Sequence, residues 1–160
     1  MKEEPHFRVK DQTGFSLVEL LVVCSITLTL LTASIPSIQN TLRAYRLETA
    51  SGLVSARLTE AKLTAIKHNR TASFKLNTTD KTIEVWTTDQ AGAADRVGTV
   101  VSWPSGIKVS TTSPLQVDFS SLGRNQAGDS SIKLFIPGTG LCKTVLISTL
   151  GNVTVSNSCS

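Results

Sequence analysis

Gly14-Phe15-Ser16-Leu17-Val18-Glu19-Leu20-Leu21-Val22-Val23 is an apolar run with one acid set into it. Across residues 15–38 the only charged side chain is Glu19. The residues ahead of the run are polar, with Lys2, Arg8 and Lys10 set against Glu3, Glu4 and Asp11. A lone carboxylate at membrane depth costs roughly 2.5–3.5 kcal/mol on insertion scales, less near an end of the span, and marks a functional site by default. As a helix, residues 15–38 reach roughly 36 Å at about 1.5 Å per residue, enough for a hydrocarbon core of about 30 Å. Thr27, Thr29, Thr32 and Ser34 leave its outer half weakly hydrophobic. Pro36 lacks a backbone donor and is expected to kink the helix or loosen the turn before it.

An ordinary secretory signal needs a small-residue cleavage site after its apolar core. Leu31-Thr32-Ala33 is a poor substitute for one, and Val23 stands where a lipoprotein would carry a small residue before Cys24. Cys24 is therefore expected to be a buried, inert side chain. Charge alone leaves the orientation open, because Arg43 and Arg46 follow the run as closely as the leader's cations precede it. The chain beyond decides it: after Ile66 it is rich in Ser, Thr, Val and Gly and poor in aromatics, the composition of an exported β domain. That places the N-terminus inside.

Residues 39–69 change pattern. Leu47, Ala50, Val54, Leu58, Ala61 and Ala65 recur at spacings of three and four, one apolar stripe with Arg43, Arg46, Glu48, Arg57, Glu60, Lys62 and Lys67 between its members. The stripe reads as a packing face for the β domain. Asn69 suits the left-handed residue after a helix C-terminus, so the helix is expected to end near His68. Beyond it, strand-like runs alternate with turn chemistry: 71–76 and 82–88 about Asn77-Thr78-Thr79-Asp80, then 97–103, 107–111, 115–119, 132–136, 144–148 and 152–155. Residues 90–95 and 120–131 read as loops. The fold class expected is α+β, a long N-terminal helix packed on a small, mainly antiparallel sheet.

The opening stretch resembles the prepilin processing motif of type IV pilins and type II secretion pseudopilins: Gly, Phe, Ser or Thr, aliphatics, and Glu at the fifth position after the cut. All of its key positions match, and Pro36 falls where those proteins often bend their helix. The leader is less basic than usual. The resemblance implies cleavage after Gly14 by a prepilin peptidase, which removes residues 1–14 and N-methylates Phe15. It also implies that Glu19 meets the Phe15 amine of a neighbouring subunit, which makes a carboxylate in hydrocarbon tolerable. The implied partners are that peptidase and methylase, other major and minor pilins or pseudopilins, an inner-membrane assembly platform and membrane lipid. The implied location is the bacterial inner membrane, crossed once by 15–38 with residues 70–160 in the periplasm, and then the pilus or pseudopilus. Phe119, Gly123, Ile132, Leu134, Val145, Ile147, Gly151 and Val153 resemble the C-terminal pattern of the GspH/FimT subfamily.

Of the three cysteines, Cys142 and Cys159 lie near the end of the exported part, where a disulfide is permitted. A two-residue turn at Leu150-Gly151 would set Thr149 opposite Asn152 and Cys142 opposite Cys159, within reach of a bridge. Leu150 suits a primed turn poorly, so a longer loop with offset pairing stays open.

Nothing in the chain assembles a catalytic site. His6 and His68 have no metal-ligand spacing around them. No nucleophile elbow occurs, and Gly138-Thr139-Gly140 is too short to cradle a phosphate. Glu84, Asp118 and Asp129 read as solvated carboxylates, and no cofactor is implied. The charge balance, 16 basic against 12 acidic residues for a net +4, forms no dense basic tract. Some relatives of the GspH/FimT subfamily bind DNA through Gly-Arg-x-Arg at the last hairpin, but this chain has Gly151-Asn152-Val153-Thr154 there. Arg124 and Lys143 remain as candidate nucleic-acid contacts, and two cations supply only a weak, salt-sensitive grip. The expectation is a structural filament subunit, with a DNA-binding minor pilin as the alternative.

Overall fold

The computed structural model describes residues 14–88, 92–110 and 114–159, without the side chains of 33–37. The leader, with His6, lies outside these residues. Helix α1 is Leu17–His68. The chain divides into two compact units, Met1–Gln39 and Asn40–Ser160.

In the first unit the helix begins where Ser16 offers its carbonyl to the Leu20 amide at 3.1 Å, and Glu19 sits in the first turn, where a negative charge suits the helix dipole. The side chains of the apolar run are exposed, Phe15 by 80%. Cys24 is exposed and free rather than buried. Three hydroxyls within the run close on the helix itself. Ser25 donates to the Val22 carbonyl at 2.8 Å, Thr27 to Val23 at 2.6 Å and Thr32 to Thr29 at 2.9 Å. Among the described residues no helix is long and apolar enough to cross a membrane. The span expected over 15–38 includes 33–37, whose side chains are not described. The kink expected at Pro36 falls there too; the helix assignment continues through it.

The second unit holds the core. Every member of the predicted stripe is buried: Leu47 is 2% exposed, and Ala50, Val54, Leu58, Ala61 and Ala65 are fully buried. The helix stops as expected. Asn69 adopts φ 50°, its amide bonds to the Ile66 carbonyl at 3.2 Å, and the Arg70 amide reaches back to Ala65 at 3.0 Å, the paired bonds of a Schellman cap.

Two four-stranded antiparallel sheets face this stripe, where the sequence suggested one. Strands β1 (Ala72–Asn77), β2 (Thr82–Thr88), β3 (Ala94–Ser102) and β5 (Gln116–Phe119) form the first, in the order β3-β2-β1-β5. Strands β4 (Lys108–Val109), β6 (Ser130–Phe135), β7 (Cys142–Ile147) and β8 (Val153–Ser156) form the second, in the order β4-β6-β7-β8. The split arises because β5 returns to β1, pairing Ala72 with Phe119, instead of continuing beside β4. The first turn is the one expected, with Asn77 Oδ1 accepting the Thr79 and Asp80 amides at 3.0 and 3.1 Å. Strand β3 starts earlier than expected, at Ala94, within the stretch read as a loop. Strand β4 is shorter than expected, and residues 89–91 and 111–113 lie outside the description. Phe74, Ile83, Val85, Val117 and Phe119 of the first sheet, and Ile132, Leu134, Val145 and Ile147 of the second, fill the core against the helix.

Candidate functional site

The N-terminal candidates lie together. Gly14, Phe15 and Ser16 lead into the helix, and Glu19 lies in its first turn. A Cβ on Gly14 would meet nothing within 4 Å. Nothing among the described residues therefore asks for glycine at this position. Among the described residues no side chain pairs with Glu19, which is solvent-exposed at the edge of an apolar surface.

The last hairpin carries the disulfide. Cys142 and Cys159 are bridged, with Cα atoms 5.8 Å apart. The register is not that of a two-residue turn. Ile147 pairs with Val153 and Thr144 with Ser156, because Thr149, Leu150 and Gly151 form a three-residue loop with Gly151 at φ 72°. The sulfur bridge therefore joins Cys142 to a residue past the end of β8, one position beyond a directly opposed partner. Thr144 Oγ1 donates to the Ser158 carbonyl at 2.8 Å, and Lys133 Nζ donates to the Cys159 carbonyl, which ties the C-terminal segment across the sheet.

The two candidate cations are not brought together. Lys143 pairs with Glu48 of α1 near the start of the second unit. Arg124 sits beside Gly123, which packs on Lys62 and Ile66 near the other end of the helix. Helix positions 48 and 62 are separated by about 20 Å of axis at 1.5 Å per residue. Arg124 is exposed, and its guanidinium has no partner among the described residues. They do not make a shared phosphate site.

The sequence reading missed a junction of loops at the end of the helix. A Cβ on Gly123, at φ 74°, would lie 2.7 Å from Ile66 Cδ1; one on Gly151 would collide with the Gly123 carbonyl oxygen. Both glycines belong to the quoted C-terminal pattern, and this contact is a physical reason for them. Asp129 locks the same junction by accepting the Thr149 amide at 2.6 Å and the Thr149 hydroxyl at 2.7 Å. These hydrogen bonds, the hydroxyl's first, hold the Asp129 carboxyl below its ordinary range. Asn125, buried, accepts the Ala127 amide at 3.2 Å and donates to Gly128 and Ser130. No short-range pattern announces a contact between residues 123 and 151.

Elsewhere, a groove of about 550 Å³ runs past Ser110, Lys133, Phe135, Ile136, Leu141 and Cys142. Its one cation, Lys133, is bonded to the Cys159 carbonyl. Among the described residues no group of His, Cys, Asp or Glu is placed to hold a metal ion. The Trp103 indole N–H is buried and without a partner among them.

Residues 9–35 match the prokaryotic N-terminal methylation motif. The fold resembles the type IV minor pilin FimU of Pseudomonas aeruginosa strain PAO1, at 15% identity and a TM-score of 0.57 over 71% of this chain and 95% of that one. It also resembles the minor pseudopilin EpsH of the Vibrio cholerae type 2 secretion system, at 10% identity and a TM-score of 0.58 over 72% of this chain and 99% of that one. Comparison with curated proteins by sequence finds no match. The architecture is thus pilin-like, and the methylation motif runs from ahead of the helix into its first half.

Proposed function

We propose that this chain, which joins a prepilin-type methylation motif to the fold of minor pilins and pseudopilins, is a structural or priming subunit of a type II secretion pseudopilus or a type IV pilus. It is not an enzyme in this reading. The observation that carries it is the apolar run that opens α1. The run is exposed along its described length, holds a single acid, and is preceded by a glycine whose added Cβ would meet nothing within 4 Å. Buried in a bilayer and then against other subunits, the run loses the exposure it has in the isolated chain.

In this reading residues 1–14 are removed by a prepilin peptidase, and Phe15 becomes the methylated terminus. Residues 15–38 cross the inner membrane with the N-terminus cytoplasmic, and the second unit lies in the periplasm. Glu19 receives the amine of a neighbouring Phe15, since an opposite charge is what a carboxylate in apolar surroundings needs. Against the DNA-binding alternative stand the pairing of Lys143 with Glu48 and the lack of arginine in the last hairpin.

The test has two arms in a host that builds the filament. Gly14→Ala should leave full-length protein in the membrane, read as the uncleaved mass; normal cleavage in that variant refutes the processing step. Glu19→Val should insert at least as well as the parent while its incorporation into sheared filaments falls. Unchanged incorporation refutes the pairing role.

A further inference from the structure

The loop joining β6 to β7, residues 136–141, borders two grooves. One is the groove of about 550 Å³ already described, with Phe135, Ile136 and Leu141 in its wall. The other is a cleft of about 470 Å³ lined by Asn40, Arg43, Gly138, Thr139 and Leu141. The two share Gly138 and Leu141. Gly138 and Gly140 stand at φ 76° and 69°, and a Cβ on either would meet nothing within 4 Å. Their amides have no hydrogen-bond partner among the described residues. A loop this short cannot hold an anion alone, and exposed Arg43 supplies the charge it lacks. The segments that line the two grooves, 40–47, 108–110 and 130–143, contain no Asp or Glu. Glu48, the first acid beyond them on the helix, is paired with Lys143, and Lys133 is bonded to the Cys159 carbonyl.

We propose that these grooves take one anionic phospholipid. Its phosphodiester meets Arg43 and the amides of Gly138 and Gly140, and the start of an acyl chain lies along Phe135, Ile136 and Leu141. The inference rests on the reading above in which residues 15–38 cross the membrane, and it adds which lipid is met and where. The sequence puts the site at a suitable depth. Asn40 follows the last residue of that span by two positions and Arg43 by five. Tyr45, 69% exposed, belongs to the residue types that gather at a membrane–water interface. A guanidinium presents a planar fork that suits a phosphate. A zwitterionic headgroup would bring its own cation up to Arg43 and Arg46, where like charges repel. Free phosphate or a nucleic-acid strand would leave the apolar wall uncovered, whereas an amphiphile covers both parts.

The experiment reconstitutes the full chain in phosphatidylcholine vesicles doped with phosphatidylglycerol that carries a diazirine near the head of one acyl chain. Besides the run 15–38, irradiation should label the peptide that holds 135–141 and leave the peptide around Val100 of β3 unlabelled. The same diazirine on phosphatidylcholine should label 135–141 about tenfold less. Arg43→Gln should lower the phosphatidylglycerol product by about the same factor, the scale of one hydrogen bond to a charged group. Excess inorganic phosphate should not compete, and Arg43→Gln should melt with the parent because the side chain is exposed. Equal labelling by the two lipids, a product indifferent to Arg43→Gln, full competition by phosphate, or a lowered melting temperature would each overturn the proposal. A chain that fails to insert in vesicles refutes the membrane placement and this contact together. A chain that labels as expected but never enters filaments refutes the function proposed above and leaves this contact standing; one that enters filaments without the label loses this contact alone.

Discussion

The two ends of one helix follow opposite rules. Residues 17–32 are apolar nearly all round and are exposed throughout. Residues 47–65 are apolar on one stripe only, and that stripe is buried to the last member. The more hydrophobic half thus contributes nothing to the chain's own core. Amount of apolar surface and direction of apolar surface do different work: periodicity builds a fold, whereas an unbroken run defers its burial to other molecules.

Substituting the same residue type at the two ends should break this comparison most sharply. Leu58→Ala removes a fully buried side chain and is expected to cost about 2–5 kcal/mol of head-domain stability. Leu21→Ala should change it by less than about 0.5 kcal/mol. Denaturant unfolding of the full chain in detergent, followed by a signal from the second unit, distinguishes them; equal losses would mean that the halves are not independent. Opening the disulfide should come next. Cys159→Ser frees a bridge with a sequence separation of 17 and is expected to lower stability by about 3 kcal/mol in the chain-entropy model. That loss belongs to the second unit, so partition of the chain into detergent should not move.

The smallest effect is a dependence on pH. Because the Asp129 carboxyl is held below its ordinary value in the fold, its contribution is complete above the unfolded-state pKa, near 4, and is lost as pH falls through the folded value. Asp129→Asn should flatten the acid limb of a melting-temperature profile while leaving the neutral region nearly parallel. An unchanged limb would show that the Thr149 bonds do not hold the junction.

Much of this was legible beforehand, for reasons that particular residues make plain. The stripe was readable because Leu47 to Ala65 alternates spacings of three and four over five turns, and the cap because Asn69 tolerates the left-handed conformation. Strand positions followed from alternation between turn residues. What escaped were matters of partner choice. No local signal sends β5 back to β1, so two sheets looked like one. The last hairpin kept a two-residue turn as its simplest reading, although Leu150 spoke against it; Gly151 at positive φ closes a three-residue loop and shifts the register by one. Cys24 was expected to be buried because Val23 argues against a lipid attachment there, but its side chain is exposed among the described residues. The contact between Gly123 and Gly151 joins loops far apart in sequence, and glycine at a turn already has a sufficient local explanation.

The hydroxyls of the apolar run carry one more consequence. Ser25, Thr27 and Thr32 each spend their proton on a carbonyl of the same helix, so these groups ask little of whatever surrounds them. A surface of that kind partitions with little preference between hydrocarbon and the flank of another helix, and moving it from one to the other is nearly a transfer between equivalent solvents. Glu19 is the exception. The free energy that distinguishes the two environments is then concentrated at one carboxylate near the start of the helix, and the remainder of the run acts as an indifferent carrier for it.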